Sequence, residues 1–310
     1  MWASSRHGSP VMQLGPAVSA PGLRRQAKGK LPKSLPSIAA SGRRYYADSI
    51  LGSGTAGVVL RYRTASGESL AVKVVRGKAR DAEDRACELP RLREVVHQTR
   101  VCGSSNAWSF YAMPCASDVL TMPRARTPRA AAQRGATVVA SVARALRRLE
   151  RNHARYYDVK PGNVLCTADG GMMLGDLGSV ASTASTYPPP NHLTELFPWY
   201  HHVGGFVSSG SRAYALNCMW SLMVSFLVVA LPGRTVQLGG RSSSVSGLFV
   251  FSTRHIRLKQ EGAAVGAYAL RLLEELPCRP SQVFVDLLTD LLGGRAPHLS
   301  DTLNAIALLG

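Results

Sequence analysis

The chain has 310 residues, of which 45% are hydrophobic and 18% charged. This apolar content is sufficient for a folded core and excludes a wholly disordered or collagen-like chain. Lysine and arginine (37) outnumber aspartate and glutamate (19), so the folded protein is strongly basic, with a formal net charge of +18. The six cysteines form no closely spaced pair, which argues against a zinc knuckle and a secreted disulfide framework. We expect reduced thiols in the cytosol or nucleus.

The first residues are the most basic part of the chain. Residues 1–47 contain eight basic side chains and no acidic one, among many Pro, Gly and Ser residues. Such a composition buries too little apolar surface to offset the entropy of ordering. We therefore predict a disordered basic tail over residues 1–44 and a folded part from Tyr45. The basic cluster in residues 24–33 fits a nuclear import signal, a nucleic-acid contact or a solvated linker, and no apolar segment typical of a signal peptide follows Met1.

A glycine-rich segment follows this region, Leu51-Gly52-Ser53-Gly54-Thr55-Ala56-Gly57-Val58-Val59. The spacing alone also occurs in dinucleotide-binding folds, in which a helix follows the last glycine. Here β-branched and aromatic residues follow instead, then a turn at Ser66-Gly67 and the apolar strand Leu70-Ala71-Val72-Lys73-Val74-Val75. The sequence therefore predicts three consecutive strands, with the glycine loop between the first two covering phosphate groups and Lys73 on the third paired with the same phosphates.

The most specific pattern lies in the middle of the chain, Tyr156-Tyr157-Asp158-Val159-Lys160-Pro161-Gly162-Asn163, followed by Asp176-Leu177-Gly178. Together with the glycine loop, these segments resemble the protein kinase family. The glycines and Val59 fit the family's phosphate loop, Ala71-Val72-Lys73 fits VAIK, Asp158 to Asn163 fits HRDxxxxN, and Asp176-Leu177-Gly178 fits DFG. The resemblance implies an α+β bilobal fold over residues 45–310, with a β-rich N-lobe over 45–115, a hinge at 112–115 and a mostly helical C-lobe over 118–310.

The resemblance also implies a role for each group in ATP-dependent phosphoryl transfer. Asp158 would accept the proton of the substrate hydroxyl, and Asn163 and Asp176 would hold Mg²⁺. Lys160 matches the residue that serine/threonine kinases place near the transferred phosphate. We predict Glu88 as the helix glutamate that holds Lys73, with Glu83 and Glu94 as competitors, although Pro90 counts against a helix there. The predicted nucleotide site consists of Leu51, Gly52, Ser53, Gly54, Thr55, Ala56, Gly57, Val59, Ala71, Lys73, Glu88 and Met113.

Several family positions are altered. Tyr156 and Tyr157 replace the histidine and arginine of HRD, and the loss of the arginine predicts activity that does not depend on loop phosphorylation. No APE motif follows, and residues 199–206 occupy its place. Cys218 replaces the aspartate of the central helix. It lies in the uncharged run 213–233, which we predict to be a buried helix rather than a membrane span.

These departures, with an intact Asp158, Asn163 and Asp176, resemble the serine/threonine kinases of herpesviruses, in particular the tegument kinase of alphaherpesviruses. That resemblance implies phosphorylation of viral and host nuclear proteins, in the host nucleus and the virion tegument, without a specific nucleic-acid partner. One alternative is a catalytically weak pseudokinase that acts as a scaffold through a basic surface. A second is a nucleic-acid binder, which rests on the net charge alone.

Overall fold

The computed structural model describes residues 11–54, 57–77, 79–103, 107–118, 125–167, 170–183, 218, 222, 225–231, 235–238, 241–244, 282 and 286. The chain divides into two compact units, one of residues 1–91 and 96–116, the other of residues 92–95 and 117–310.

An antiparallel sheet of seven strands forms the first unit in its described residues. In chain order its elements are β1 (Gln13–Ser19), α1 (Pro21–Gln26), β2 (Ser34–Ala40), β3 (Arg43–Ser53), β4 (Gly57–Arg63), β5 (Ser69–Arg76), α2 (Ala79–Cys87), β6 (Thr99–Arg100) and β7 (Trp108–Pro114). The strand order is β1-β2-β3-β4-β5-β7-β6. The side chains of β4 alternate between its two faces. Val58, Leu60 and Tyr62 are fully buried on one face, while the residues between them are more exposed.

The predicted disordered tail is wrong for residues 11–44, which form β1, α1, β2 and the start of β3. Met12, Leu31, Leu35 and Ile38 are at most 3% exposed and belong to the same core as Leu60 of β4. The average composition of this segment does not reveal that most of its large apolar residues are buried against one core, while its basic residues are exposed. Burial of that apolar side offsets the ordering entropy that the composition suggested was too large.

The N-terminal segment also connects the two edges of the sheet. The backbone N–H of Leu14 donates to the carbonyl of Cys102 at 2.9 Å, and the N–H of Cys102 donates to the carbonyl of Met12 at 2.8 Å. Cys102 follows β6 directly, so β1 at one end of the strand order meets the segment at the other end. Closure of this kind satisfies backbone groups that an edge strand leaves unpaired.

The second unit contains a long helix and several short strands. Its described elements are β8 (Ser117–Asp118), α3 (Pro128–Arg151), β9 (Ala154–Tyr156), β10 (Val164–Cys166), β11 (Met172–Leu174), β12 (Val180–Ser182), β13 (Thr235–Leu238) and β14 (Arg241–Ser244), with 3₁₀ turns at Pro161–Asn163 and Leu177–Ser179. The Thr127 hydroxyl caps α3 by accepting a hydrogen bond from the N–H of Ala130 at 3.1 Å. β10 pairs with β11 and β8, and β12 pairs with β9.

The uncharged run is helical in the residues that are described, 218, 222 and 225–230, as predicted. Cys218, Leu222 and Leu227 are fully buried. Gly135 of α3 lies against Phe226, where a Cβ would be only 2.9 Å from the ring, so a small residue lets the two segments approach closely. Among the described residues, no helix is long and apolar enough to cross a membrane. Residues 199–206 lie outside the described ranges, and a mostly helical C-lobe beyond residue 183 stays a prediction.

Candidate active site

Four of the predicted nucleotide-site residues lie on one face of the first sheet. The register places Val59 of β4 opposite Lys73 of β5, and Met113 of β7 opposite Ala71 of β5. Since side chains alternate along a strand, these four share the face opposite to the core that contains the N-terminal segment. Strand pairing thus brings together residues that are more than fifty positions apart in the sequence.

The glycine loop joins β3 to β4. A Cβ at Gly57 would lie 2.4 Å from the carbonyl oxygen of Val74, so this close approach of two strands requires glycine. A Cβ at Gly52 or Gly54 would meet no atom of the described residues within 4 Å, which leaves the outer side of the loop accessible. Of the other predicted loop residues, Leu51 and Ser53 lie at the end of β3, and Thr55 and Ala56 lie outside the described residues.

Lys73 forms a buried ion pair with Glu83 of α2. Its Nζ lies 2.5 Å from Glu83 Oε1, and the two side chains are 6% and 1% exposed. The amide of Gln98 donates to Glu83 Oε2 at 2.8 Å and to the Glu83 carbonyl at 2.9 Å. A buried charge pair persists only when its remaining polar atoms are satisfied, and Gln98 contributes to this. Nothing in the sequence pattern indicated Gln98.

The prediction that Glu88 holds Lys73 is wrong, and the competitor Glu83 takes that place. α2 ends at Cys87, so Glu88 lies outside the helix, and it is exposed. Within α2 the buried residues are Glu83 and Ala86, three positions apart and therefore on one helix face. Pro90 disfavours a helical conformation in the residue before it, which is consistent with a helix that stops short of Glu88.

Asp158 and Asn163 form the core of a compact loop in the second unit. Asn163 Nδ2 donates to the carbonyl oxygen of Asp158 at 2.8 Å and lies 2.9 Å from its Oδ2. Both residues are buried, at 7% and 6% exposure, and the 3₁₀ turn Pro161–Asn163 brings Asn163 back towards Asp158. The five-residue spacing thus brings the two side chains into direct contact.

Tyr156 connects these residues to the segment before Asp176. Its hydroxyl donates to the carbonyl of Gly175 at 3.0 Å and accepts a hydrogen bond from Asn163 Nδ2 at 2.8 Å. Burial, and then the negative charges of Asp158 and Asp176, raise the pKa of Tyr156 well above its usual range, so the hydroxyl stays protonated. From the sequence alone, Tyr156 is only a substitution for the family's histidine, and the pattern gives no indication of its bridging role.

Two further charged residues belong to the candidate site, Lys160 in the loop and Asp176 shortly after β11. Lys160 Nζ lies 2.9 Å from Asp158 Oδ2, and its side chain is 34% exposed. Asp176 is exposed and has a left-handed backbone, with φ 51° and ψ 56°. A non-glycine residue in this region is strained, and such strain occurs preferentially at functional sites. The N–H of Gly175 donates to the carbonyl of Asn163 at 2.7 Å, which ties the Asp176 segment to the loop.

The side chains of Asn163 and Asp176 offer the oxygen donors that magnesium binds in proteins. The Asn163 amide nitrogen is held by protein groups, whereas its Oδ1 accepts no hydrogen bond within the described part of the chain. Magnesium usually takes one or two protein oxygen ligands and completes its shell with water and substrate phosphates. No cluster of three or more His, Cys, Asp or Glu side chains occurs among the described residues, and this type of site does not need one.

A model of the protein kinase domain matches residues 45–201, half of the chain. The chain belongs to the protein kinase family. None of the curated proteins matches it. Membership implies a phosphotransferase that uses ATP and, typically, Mg²⁺, with proteins as substrates. The matched range contains both the Lys73–Glu83 pair and the loop of Asp158 and Asn163.

Two positions in this kinase differ from the family pattern and lie together in the second unit. Tyr157, in place of the HRD arginine, is 7% exposed, and Cys218, in place of the central-helix aspartate, is fully buried. Burial raises the pKa of Tyr157, the guanidinium of Arg155 opposes that rise, and the nearby Cys218 contributes to it. Two side chains with little charge therefore stand at positions where the family pattern has an arginine and a carboxylate.

Proposed function

We propose that the protein is a serine/threonine kinase that transfers the γ-phosphate of ATP to hydroxyl groups of protein substrates. The observation that carries this proposal is the contact between Asp158, Asn163 and Lys160. Asn163 fixes the backbone of Asp158, and Lys160 places a positive charge 2.9 Å from the Asp158 carboxylate. A carboxylate that accepts a proton, next to a cation that stabilises phosphate charge, is an arrangement suited to phosphorylation of a hydroxyl group.

In this proposal Asp158 orients the substrate hydroxyl and accepts its proton. The hydroxyl oxygen forms a bond to the γ-phosphorus while the bond from that phosphorus to the β,γ-bridging oxygen breaks, and ADP leaves with the bonding electrons. Lys160 interacts with the transferred phosphoryl group. Its side chain is partly exposed, so it can leave Asp158 Oδ2 when substrate arrives.

Lys73 interacts with the phosphates of ATP, and Glu83 fixes the position of its ammonium group. Asn163 Oδ1 and the Asp176 carboxylate would hold Mg²⁺, which when bound neutralises phosphate charge. Tyr156 orients Asn163 through the hydrogen bond to its amide nitrogen. Catalysis would come from positioning and electrostatics rather than from a covalent intermediate.

The preference for serine and threonine rests on Lys160, which stands two residues after Asp158.

The proposal includes membership of the herpesvirus kinases and action in the host nucleus and the virion tegument, supported by the substituted positions Tyr156, Tyr157 and Cys218. A fluorescent fusion expressed in cultured cells tests the nuclear part. Fluorescence excluded from the nucleus would contradict it.

Two observations favour a second candidate, a catalytically weak pseudokinase. Tyr157 and Cys218 replace an arginine and an aspartate, and both are buried where the family normally places charged groups. Against this candidate, the Lys73–Glu83 pair and the contact between Asp158 and Asn163 are intact.

One experiment separates the two candidates. Purified protein is incubated with radiolabelled ATP, Mg²⁺ and casein or histone, beside a Lys73→Met variant, and the label is assigned by phosphoamino-acid analysis. Label on serine or threonine that is lost in the variant would support the proposal. Label on tyrosine alone would contradict the specificity. No label, with ATP still raising the melting temperature, would favour the pseudokinase.

A further inference from the structure

The turn between α1 and β2 packs against the hydrophobic core of the first sheet. Ala27, Leu31 and Leu35 are 2–3% exposed and share the core with the buried residues of β4. The backbone N–H of Gly29 donates to the carbonyl of residue 24, and that of Lys30 donates to the carbonyl of Ala27, both at 3.0 Å. Gly29 has a φ of 76°, a left-handed conformation that glycine adopts without strain. The backbone of Lys30 is therefore anchored although its side chain lies in solvent.

From this anchored position Lys30 reaches the glycine loop. Its Nζ donates a hydrogen bond to the carbonyl oxygen of Gly54 at 3.0 Å. The N–H of Gly54 donates to the carbonyl of Gly57 at 2.9 Å. Gly54, the second glycine of the loop, is thus held on its carbonyl side by a residue of the N-terminal segment and on its amide side by β4.

Packing does not provide an equivalent restraint at this point of the loop. Gly57 lies against the backbone of Val74, as described above, whereas Gly52 and Gly54 have no neighbour among the described residues within 4 Å of the position of a Cβ. The first half of the loop therefore depends on hydrogen bonds for its position. Lys30 supplies one of them, and a charged donor makes a stronger hydrogen bond than a neutral one.

We propose that Lys30 is a positioning residue for nucleotide binding. It holds the Gly54 carbonyl towards the N-terminal segment, and this orients the glycine loop that, in the proposed function, covers the phosphates of ATP. The inference rests on the proposed function, because it assigns to Lys30 a part in binding the nucleotide of that reaction. It also gives the N-terminal segment, which lies outside the range matched by the kinase domain, a role in the activity.

Steady-state kinetics of the full chain test the proposal. Lys30→Met should raise the KM for ATP by about three- to tenfold and change kcat by less than about twofold, because one charge-assisted hydrogen bond is lost and the reacting groups stay intact. Lys30→Arg should restore most of the affinity, since a guanidinium can donate to the same carbonyl. The matched control is Lys33→Met, which removes the same charge from an exposed lysine of the same segment.

An equal KM for ATP in Lys30→Met and Lys33→Met would overturn the proposal and leave the proposed function standing. If the wild-type protein transfers no phosphate, the proposed function fails, and Lys30 is then tested by fluorescence titration with a non-hydrolysable ATP analogue. Weaker binding in Lys30→Met alone would support the positioning role. Equal binding in both variants, or no nucleotide binding by the wild type, would overturn it.

Discussion

The lysine–glutamate pair of the first unit and the proposed catalytic loop of the second, which contains Asp158 and Asn163, are held in place in different ways. Lys73 and Glu83 come from a strand and a helix, and Gln98 from a third segment contacts Glu83. Asp158 and Asn163 lie in one short loop and contact each other directly. The geometry of a motif confined to one loop is fixed by contacts within that loop, whereas the geometry of a pair that joins two elements depends on how those elements pack.

The largest effect is expected in the catalytic loop. Asp158→Asn replaces the proton acceptor with a neutral amide of the same shape, and turnover should fall by about 10²- to 10⁴-fold. Initial rates of phosphotransfer measure the loss, with thermal unfolding to show that the fold is kept. Asp81→Asn, on the exposed first turn of α2, is the control and should retain wild-type turnover. Full turnover in Asp158→Asn would show that another group accepts the proton.

A pair of substitutions tests how the Lys73–Glu83 pair of the first unit is held in place. Glu83→Gln removes the negative charge that pairs with the buried Lys73 ammonium, so the lysine should move and kcat/KM should fall on the order of a hundredfold. Removal of one member of a buried pair typically also lowers the free energy of unfolding by about 3–5 kcal/mol. Kinetic assays and urea-induced unfolding measure these two effects.

Glu88→Gln is the matched control for that experiment, because Glu88 is exposed and lies just after α2. We expect activity and stability close to those of the wild-type protein, since exposed charges contribute about 0–1 kcal/mol. If Glu88→Gln lost activity and Glu83→Gln retained it, the assignment of the lysine's partner made from the sequence would be correct after all.

The same contrast explains how much of the molecule could be predicted. The five-residue spacing of Asp158 and Asn163 matched the family's motif, and the structure shows in addition that the two side chains are in contact. The partner of Lys73 could not be chosen by spacing, because the choice depends on where α2 ends and which of its faces meets the sheet. The N-terminal strands were missed for a related reason. Their stability comes from burial against β4, and the composition of residues 1–44 contains no information about that contact.

Tyr156 lies between the two extremes, because it joins the loop to the neighbouring segment. Tyr156→Phe removes the hydroxyl that bridges Asn163 and the Gly175 carbonyl, so Asn163 should lose part of its orientation. We expect kcat to fall roughly tenfold and the Mg²⁺ concentration needed for half-maximal rate to rise, with a loss of about 1–3 kcal/mol of stability. Tyr157→Phe, which removes the adjacent buried hydroxyl, should leave the Mg²⁺ requirement unchanged. An equal shift in both variants would contradict the bridging role.

The smallest effect on catalysis is expected from the N-terminal segment's core. Ile38 of β2 is fully buried on the face of the sheet opposite Lys73, so Ile38→Ala should lower the free energy of unfolding by about 2–5 kcal/mol. Turnover per folded molecule should change by less than about twofold, since the substitution is remote from the reacting groups. Urea-induced unfolding gives the first quantity. Val18→Ala, on the exposed side of β1, is the control and should shift stability by no more than about 0.5 kcal/mol. Equal stability of both variants would mean that residues 11–44 do not pack on the sheet in solution, and the first unit would then owe its stability to the later strands alone.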